Sequence, residues 1–170
     1  MFAVLRYGLI AALVVCALTL GPALLFGPRT DWMQWGELIG YTTMVLAMTA
    51  TGFAMRAARR ERGALRYRDA LWVGIGVSLV ASVIFGVATW LFYTWAGDAL
   101  PQAAYEFYLA RAQGDAAKVA EIEAMRGYFF NRPLQGAVMF ATLFLIGLAE
   151  SVVAAWLMTR RGARTVAQRA

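Results

Sequence analysis

Four long apolar stretches, Leu5–Gly27, Gln34–Met55, Ala70–Trp95 and Pro133–Thr159, take up most of the chain. Each is about as long as the ~20 residues a helix needs to cross the hydrocarbon core of a bilayer. The pattern predicts an all-α fold: a membrane-embedded bundle of four transmembrane helices, built by residues 1–170 as a single domain. Composition agrees, with 61% of the 170 residues hydrophobic, against about 45–50% in soluble domains.

The remaining residues exclude several kinds of chemistry. There is no His and one cysteine, Cys16. That removes an intramolecular disulfide, a zinc site of the usual Cys/His kind, His-dependent nucleophilic triads and haem held through His. No phosphate-binding Gly loop, pair of catalytic carboxylates or metal-ligand spacing appears, so no cofactor is expected and the chain does not look like an enzyme. Cys16 sits within an apolar helix and reads as a small packing residue.

The net charge of +6 does not point to nucleic acid, because the charges are sorted by side. Arg6, the segment Arg56, Arg59, Arg60, Arg62, Arg66 and Arg68, and the tail Arg160, Arg161, Arg164 and Arg169 place eleven basic residues on one side. Arg29, Arg111, Lys118, Arg126 and Arg132 place five on the other. Basic residues concentrate in cytoplasmic loops, so both termini are expected to be cytoplasmic. The aromatics form two belts of the kind found at bilayer interfaces. Trp32, Trp35, Trp90, Tyr93, Trp95 and Tyr128 fall on the outer side, and Tyr7, Tyr67, Trp72 and Trp156 on the inner. The first apolar run is longer than the 7–15 residues of a signal-peptide core and is expected to be retained as a span.

Between the third and fourth spans lies a polar excursion, residues 97–131. The spacing places Tyr105, Tyr108, Leu109 and Ala112 on one face of a helix over Gln102–Gln113. Asp115 is a suitable N-cap for a second helix, Ala116–Met125. The expected element is an extracytoplasmic helical hairpin over the mouth of the bundle.

Helix association in lipid depends on close approach through small residues. Gly74, Ser78, Ser82 and Gly86 form such a stripe on the third span, and Gly36 and Gly40 a short one on the second. These stripes suit packing within the bundle; a homodimer or a partner membrane protein is the other use for them. The six arginines from Arg56 to Arg68 set topology and suit anionic headgroups, which makes membrane lipids the expected partner.

Two acids fall inside apolar segments, Glu37 and Glu150. An acid at mid-bilayer costs at least ~2.5 kcal/mol, so it needs a partner or a task. Glu37, about one turn into its helix, suits an interfacial position near Arg29 or Arg132. For Glu150 the favoured expectation is a bridge to Arg6, which enters from the same side. Its alternative is a protonatable carboxylate on a transport path, with Ser151, Thr142 and Tyr7 beside it. Thr42, Thr43, Thr49 and Thr51 add polarity to the second span, and their hydroxyls can bond back to their own helix.

Arg6-Tyr7-Gly8 opens the first span, Gly36-Glu37-Leu38-Ile39-Gly40-Tyr41 the second, and Arg68–Phe85 follows the basic linker. With Asn131-Arg132-Pro133-Leu134 ahead of the last helix, this order resembles the bacterial domain-of-unknown-function 4199 family of four-helix integral membrane proteins. The resemblance implies a multi-pass protein of the bacterial inner membrane and brings no established activity. It marks Gly36, Glu37, Gly40 and Tyr41 for attention. Two functions are therefore carried forward: a non-enzymatic membrane component (scaffold, accessory or lipid-interacting protein), and a small homo-oligomeric transporter or channel using an intramembrane Glu.

Overall fold

A computed structural model describes the backbone of residues 2–26, 30–63 and 65–167, with side chains described at 2–25, 35–63 and 65–159. The described chain is all-helical. Its elements are α1 (Phe2–Phe26), α2 (Thr30–Met48), α3 (Ala50–Arg62), α4 (Tyr67–Ala96), α5 (Ala99–Arg111), α6 (Ala116–Ala124), α7 (Arg126–Phe130) and α8 (Arg132–Ala167). Four segments are long and apolar enough to cross a membrane: Phe2–Leu25, Trp35–Arg62, Tyr67–Ala96 and Arg132–Thr159. Large apolar side chains point outward on all four, as at Leu13, Leu46, Trp72 and Leu145. Water would penalise such a surface; hydrocarbon does not.

α4 is the central element, and the two most extensive helix contacts in the chain are those it makes with α8 and with α1. Side chains two apart on a helix are rotated by about 200°, so one helix can offer two smooth faces. On one face, a Cβ placed at Gly76 would stand 2.9 Å from Val4 of α1, and one at Gly8 of α1 would stand 2.8 Å from Val80. On the other, a Cβ at Gly74 would stand 2.5 Å from Ser151 Oγ of α8, and one at Gly147 of α8 would stand 2.5 Å from Ser78 Oγ. Farther along the same face Gly86 and Gly136 meet backbone to backbone: a Cβ on either would lie 2.9 or 2.7 Å from the other's carbonyl oxygen. Ser78 and Ser151 donate their hydroxyls to Gly74 O (2.9 Å) and Gly147 O (2.6 Å) in their own helices. The seam is thus lined by small side chains; Ser78 and Ser151 are satisfied locally, while the buried Ser82 Oγ has no hydrogen-bond partner among the described residues. Two clusters of buried side chains fill the bundle, one around Val15, Met48, Phe85 and Leu143, the other around Met55, Val77 and Ala155.

The second span is interrupted. α2 stops at Met48, Thr49 forms a turn, and α3 restarts at Ala50. Thr49 N–H is shared between Val45 O and Leu46 O at 3.2 and 3.3 Å, and Gly52 N–H reaches Thr49 O at 3.0 Å. Thr43, Thr49 and Thr51 each donate a hydroxyl to the carbonyl three residues back, at 2.7–2.8 Å. These bonds compete with the i→i−4 ladder and bend helices. The sequence placed the polarity here, and the structure adds the break.

The excursion between α4 and α8 holds three helices where the sequence predicted two. Asp115 caps α6 as expected, its side chain accepting from Ala117 N and Lys118 N. Gln113 and Gly114 take positive φ, 51° and 79°, and make the reversal between α5 and α6. The short α7 follows. Phe129 of α7 is buried, with ring centroids at 5.7–5.8 Å from Tyr105, Tyr108 and Tyr128. This aromatic knot fixes α5 against α7. Asn131 then caps α8, its Oδ1 accepting from Leu134 N at 3.1 Å, with Pro133 in the first turn, where its missing N–H is harmless.

Candidate functional site

Two features at opposite ends of the bundle gather the polar side chains singled out in the sequence. At the end covered by α5–α7, a cavity of about 390 Å³ is lined by Thr19 of α1, Gly36, Glu37, Gly40, Tyr41 and Met44 of α2, Tyr93 of α4, Ala104, Phe107 and Tyr108 of α5, Tyr128 of α7, and Val138, Met139 and Thr142 of α8. Six helices contribute to it. Tyr108 donates its hydroxyl to Glu37 Oε1 at 2.5 Å, joining residues 71 apart in sequence. Burial is the main influence on the Tyr108 phenol, and the Glu37 carboxylate adds to it; together they push its pKa up to about 12, with Arg111 acting in the opposite direction. The phenol therefore stays a donor at any physiological pH. Tyr128 is raised as well, by burial and then by Tyr41.

Glu37 thus finds its partner in a tyrosine. Arg132 instead pairs with Asp98 at 2.8 Å, and Arg29 lies outside the described residues. Gly36 and Gly40 have open space where a Cβ would go. They line the cavity and, among the described residues, bring no other helix close. Thr142, grouped from the sequence with Glu150, belongs to this cavity. Tyr93, Tyr108 and Tyr128 were legible as belt or helix-face aromatics; that they converge on Glu37 was not.

At the opposite end, α3 and α8 diverge to leave a groove of about 780 Å³, lined by Thr49, Gly52, Phe53, Arg56, Arg59, Arg60, Gly63, Ala154, Leu157 and Met158. Arg59 donates to Met158 O at 3.5 Å, and the Arg56 guanidinium lies 5.7 Å from the centre of the Phe53 ring. Arg62, Arg66 and Arg68 are exposed beyond it. Sharing Thr49, Gly52, Ala154 and Leu157 with the groove is a further hollow of about 400 Å³, walled also by Thr51, Ala149, Glu150 and Val153.

The Arg6–Glu150 bridge is not formed. Arg6 lies 5.9 Å from the centre of the Tyr7 ring, and Glu150 Oε1 is buried without a hydrogen-bond partner among the described residues. The reason is helix order: α1 and α8 pack on different faces of α4, so an arginine on α1 does not face an acid on α8. Ser151 packs into the α4 seam, and Tyr7 borders the cluster around Met55 and Val77.

No curated protein and no solved structure matches the chain. Residues 6–160 match the family described as "Protein of unknown function (DUF4199)". That span takes in three of the four membrane-length helices and the first from Arg6 onward, with the Glu37 cavity and the arginine-lined groove, and the chain belongs to this family of unknown function.

Proposed function

We propose that the protein is a non-enzymatic, multi-pass component of the bacterial inner membrane, with both termini cytoplasmic, that holds anionic lipid through the groove between α3 and α8. The observation that carries this is the groove's composition. Arg56, Arg59 and Arg60 lie at one end, while Phe53, Leu157 and Met158 form apolar wall. That combination suits one molecule with a negative head and a hydrocarbon chain. Arginine favours phosphate because its planar fork can donate two parallel hydrogen bonds. Arg59 is already steadied by Met158 O, which lowers the cost of ordering it.

Native mass spectrometry of the purified protein tests the proposal, with phosphatidylglycerol and phosphatidylcholine of the same acyl chains. Wild type should retain phosphatidylglycerol preferentially. Replacing Arg56, Arg59 and Arg60 together by Gln should remove about 1 kcal/mol per residue, an approximately hundredfold loss of affinity. Equal retention of both lipids by wild type, or an unchanged preference in the triple variant, would overturn it.

A second reading, transport, is favoured by Glu150, whose buried Oε1 has no hydrogen-bond partner among the described residues and which walls the hollow beside the Thr49 break. Proteoliposomes decide between them: proton-coupled flux that Glu150→Gln abolishes would put transport first.

A further inference from the structure

The cavity under α5–α7 has the composition of a cation site. Among the described residues its lining includes one acid, Glu37, and no Lys or Arg. Arg111 acts on the Tyr108 phenol from nearby but does not line the space. Four tyrosines, Tyr41, Tyr93, Tyr108 and Tyr128, share it with Phe107. The negative charge is held in place: the Tyr108 hydroxyl fixes one carboxylate oxygen, and Tyr108 is itself fixed by its ring contact with Phe129.

Three classes of occupant fit poorly. An anion would meet Glu37. A metal ion wants several charged or imidazole ligands, and no group of three His, Cys, Asp or Glu stands together among the described residues. A neutral hydrocarbon would leave the carboxylate facing an uncompensated apolar body. A positive charge on an apolar body satisfies both halves of the lining, through Coulomb attraction to Glu37 and through the negative faces of the aromatic rings. A volume of about 390 Å³ falls in the range of small-molecule sites, ~300–1,000 Å³. We propose that the Glu37–tyrosine cavity binds an organic cation with an apolar body, of the alkyl- or arylammonium or phosphonium class. This site shares no residue with the lipid groove, so either proposal stands or falls alone.

Equilibrium dialysis of the full chain in a non-ionic detergent tests it, with tetraphenylphosphonium as probe and tetraphenylborate as its size-matched anion. Wild type should bind the phosphonium saturably and show no saturable binding of the borate. Glu37→Gln should weaken phosphonium binding about tenfold or more, and Tyr41→Ala or Tyr128→Ala about threefold to tenfold. Saturable borate binding of similar affinity, or unchanged phosphonium affinity in Glu37→Gln, overturns the proposal. Should Glu37→Gln fail to fold, Tyr41→Ala decides, since Tyr41 is 58% exposed and its truncation leaves no core void; unchanged affinity there is equally fatal.

Discussion

The bond between Tyr108 and Glu37 ties the excursion to the second span through a single phenol. The phenol's folded pKa, about 12, lies above its ordinary 10.0. The protonated form is therefore the one favoured by folding, and its contribution is complete below pH 10 and fades as pH rises from about 10 to about 12. We predict that Tyr108→Phe lowers thermal stability by a constant amount up to about pH 10, and that the gap to wild type closes by about pH 12. Phenolate absorbance should show one late-titrating tyrosine fewer in the variant; an unchanged titration would contradict the assignment. At this scale the sequence was only partly legible. Glu37 stood out because an acid in an apolar run is costly, and Asp115 because N-caps have a local chemistry. Tyr108 did not, since its partner is 71 residues away and nothing in local spacing records the meeting.

Among the elements, the α4–α8 seam makes the sharpest prediction. Gly86 and Gly136 face each other's carbonyl oxygens, and backbone cannot move aside as a side-chain tip can. Gly86→Ala or Gly136→Ala should destabilise the bundle by about 1–3 kcal/mol, the usual range for overpacking. Gly36→Ala and Gly40→Ala meet nothing within 4 Å and should be neutral or stabilising by up to about 1 kcal/mol, from helix propensity alone. Unfolding in mixed detergent measures both pairs, and a reversed order would refute the packing argument. The Gly74-Ser78-Ser82-Gly86 stripe was visible because small residues at four-residue spacing have one face. Which helix would meet that face was not visible, and the expected Arg6–Glu150 bridge failed for that reason. The break at Thr49 was hidden too, because a threonine that bonds back to its helix and one that interrupts it look the same in sequence.

For the whole molecule, the arginine-lined groove beside α3 and the helical excursion lie at opposite ends of the bundle. With Cys16→Ser as background, a cysteine at Lys118 should react with an impermeant maleimide in intact cells. One at Arg66 should react only after the membrane is opened. The reverse pattern would invert the proposed orientation while leaving the bundle untouched. The four spans were readable from apolar length alone, whereas their arrangement around α4 depends on side-chain volumes at particular contacts. That arrangement bears on how the protein is made. α1 and α8 each dock mainly on α4, on separate faces, so the first span leaves the insertion machinery before its main support exists. The third span is the earliest point in synthesis at which a bundle can form. A nascent chain arrested before it would expose the smooth face around Gly8 to lipid and to whatever surveys the membrane for unfinished proteins.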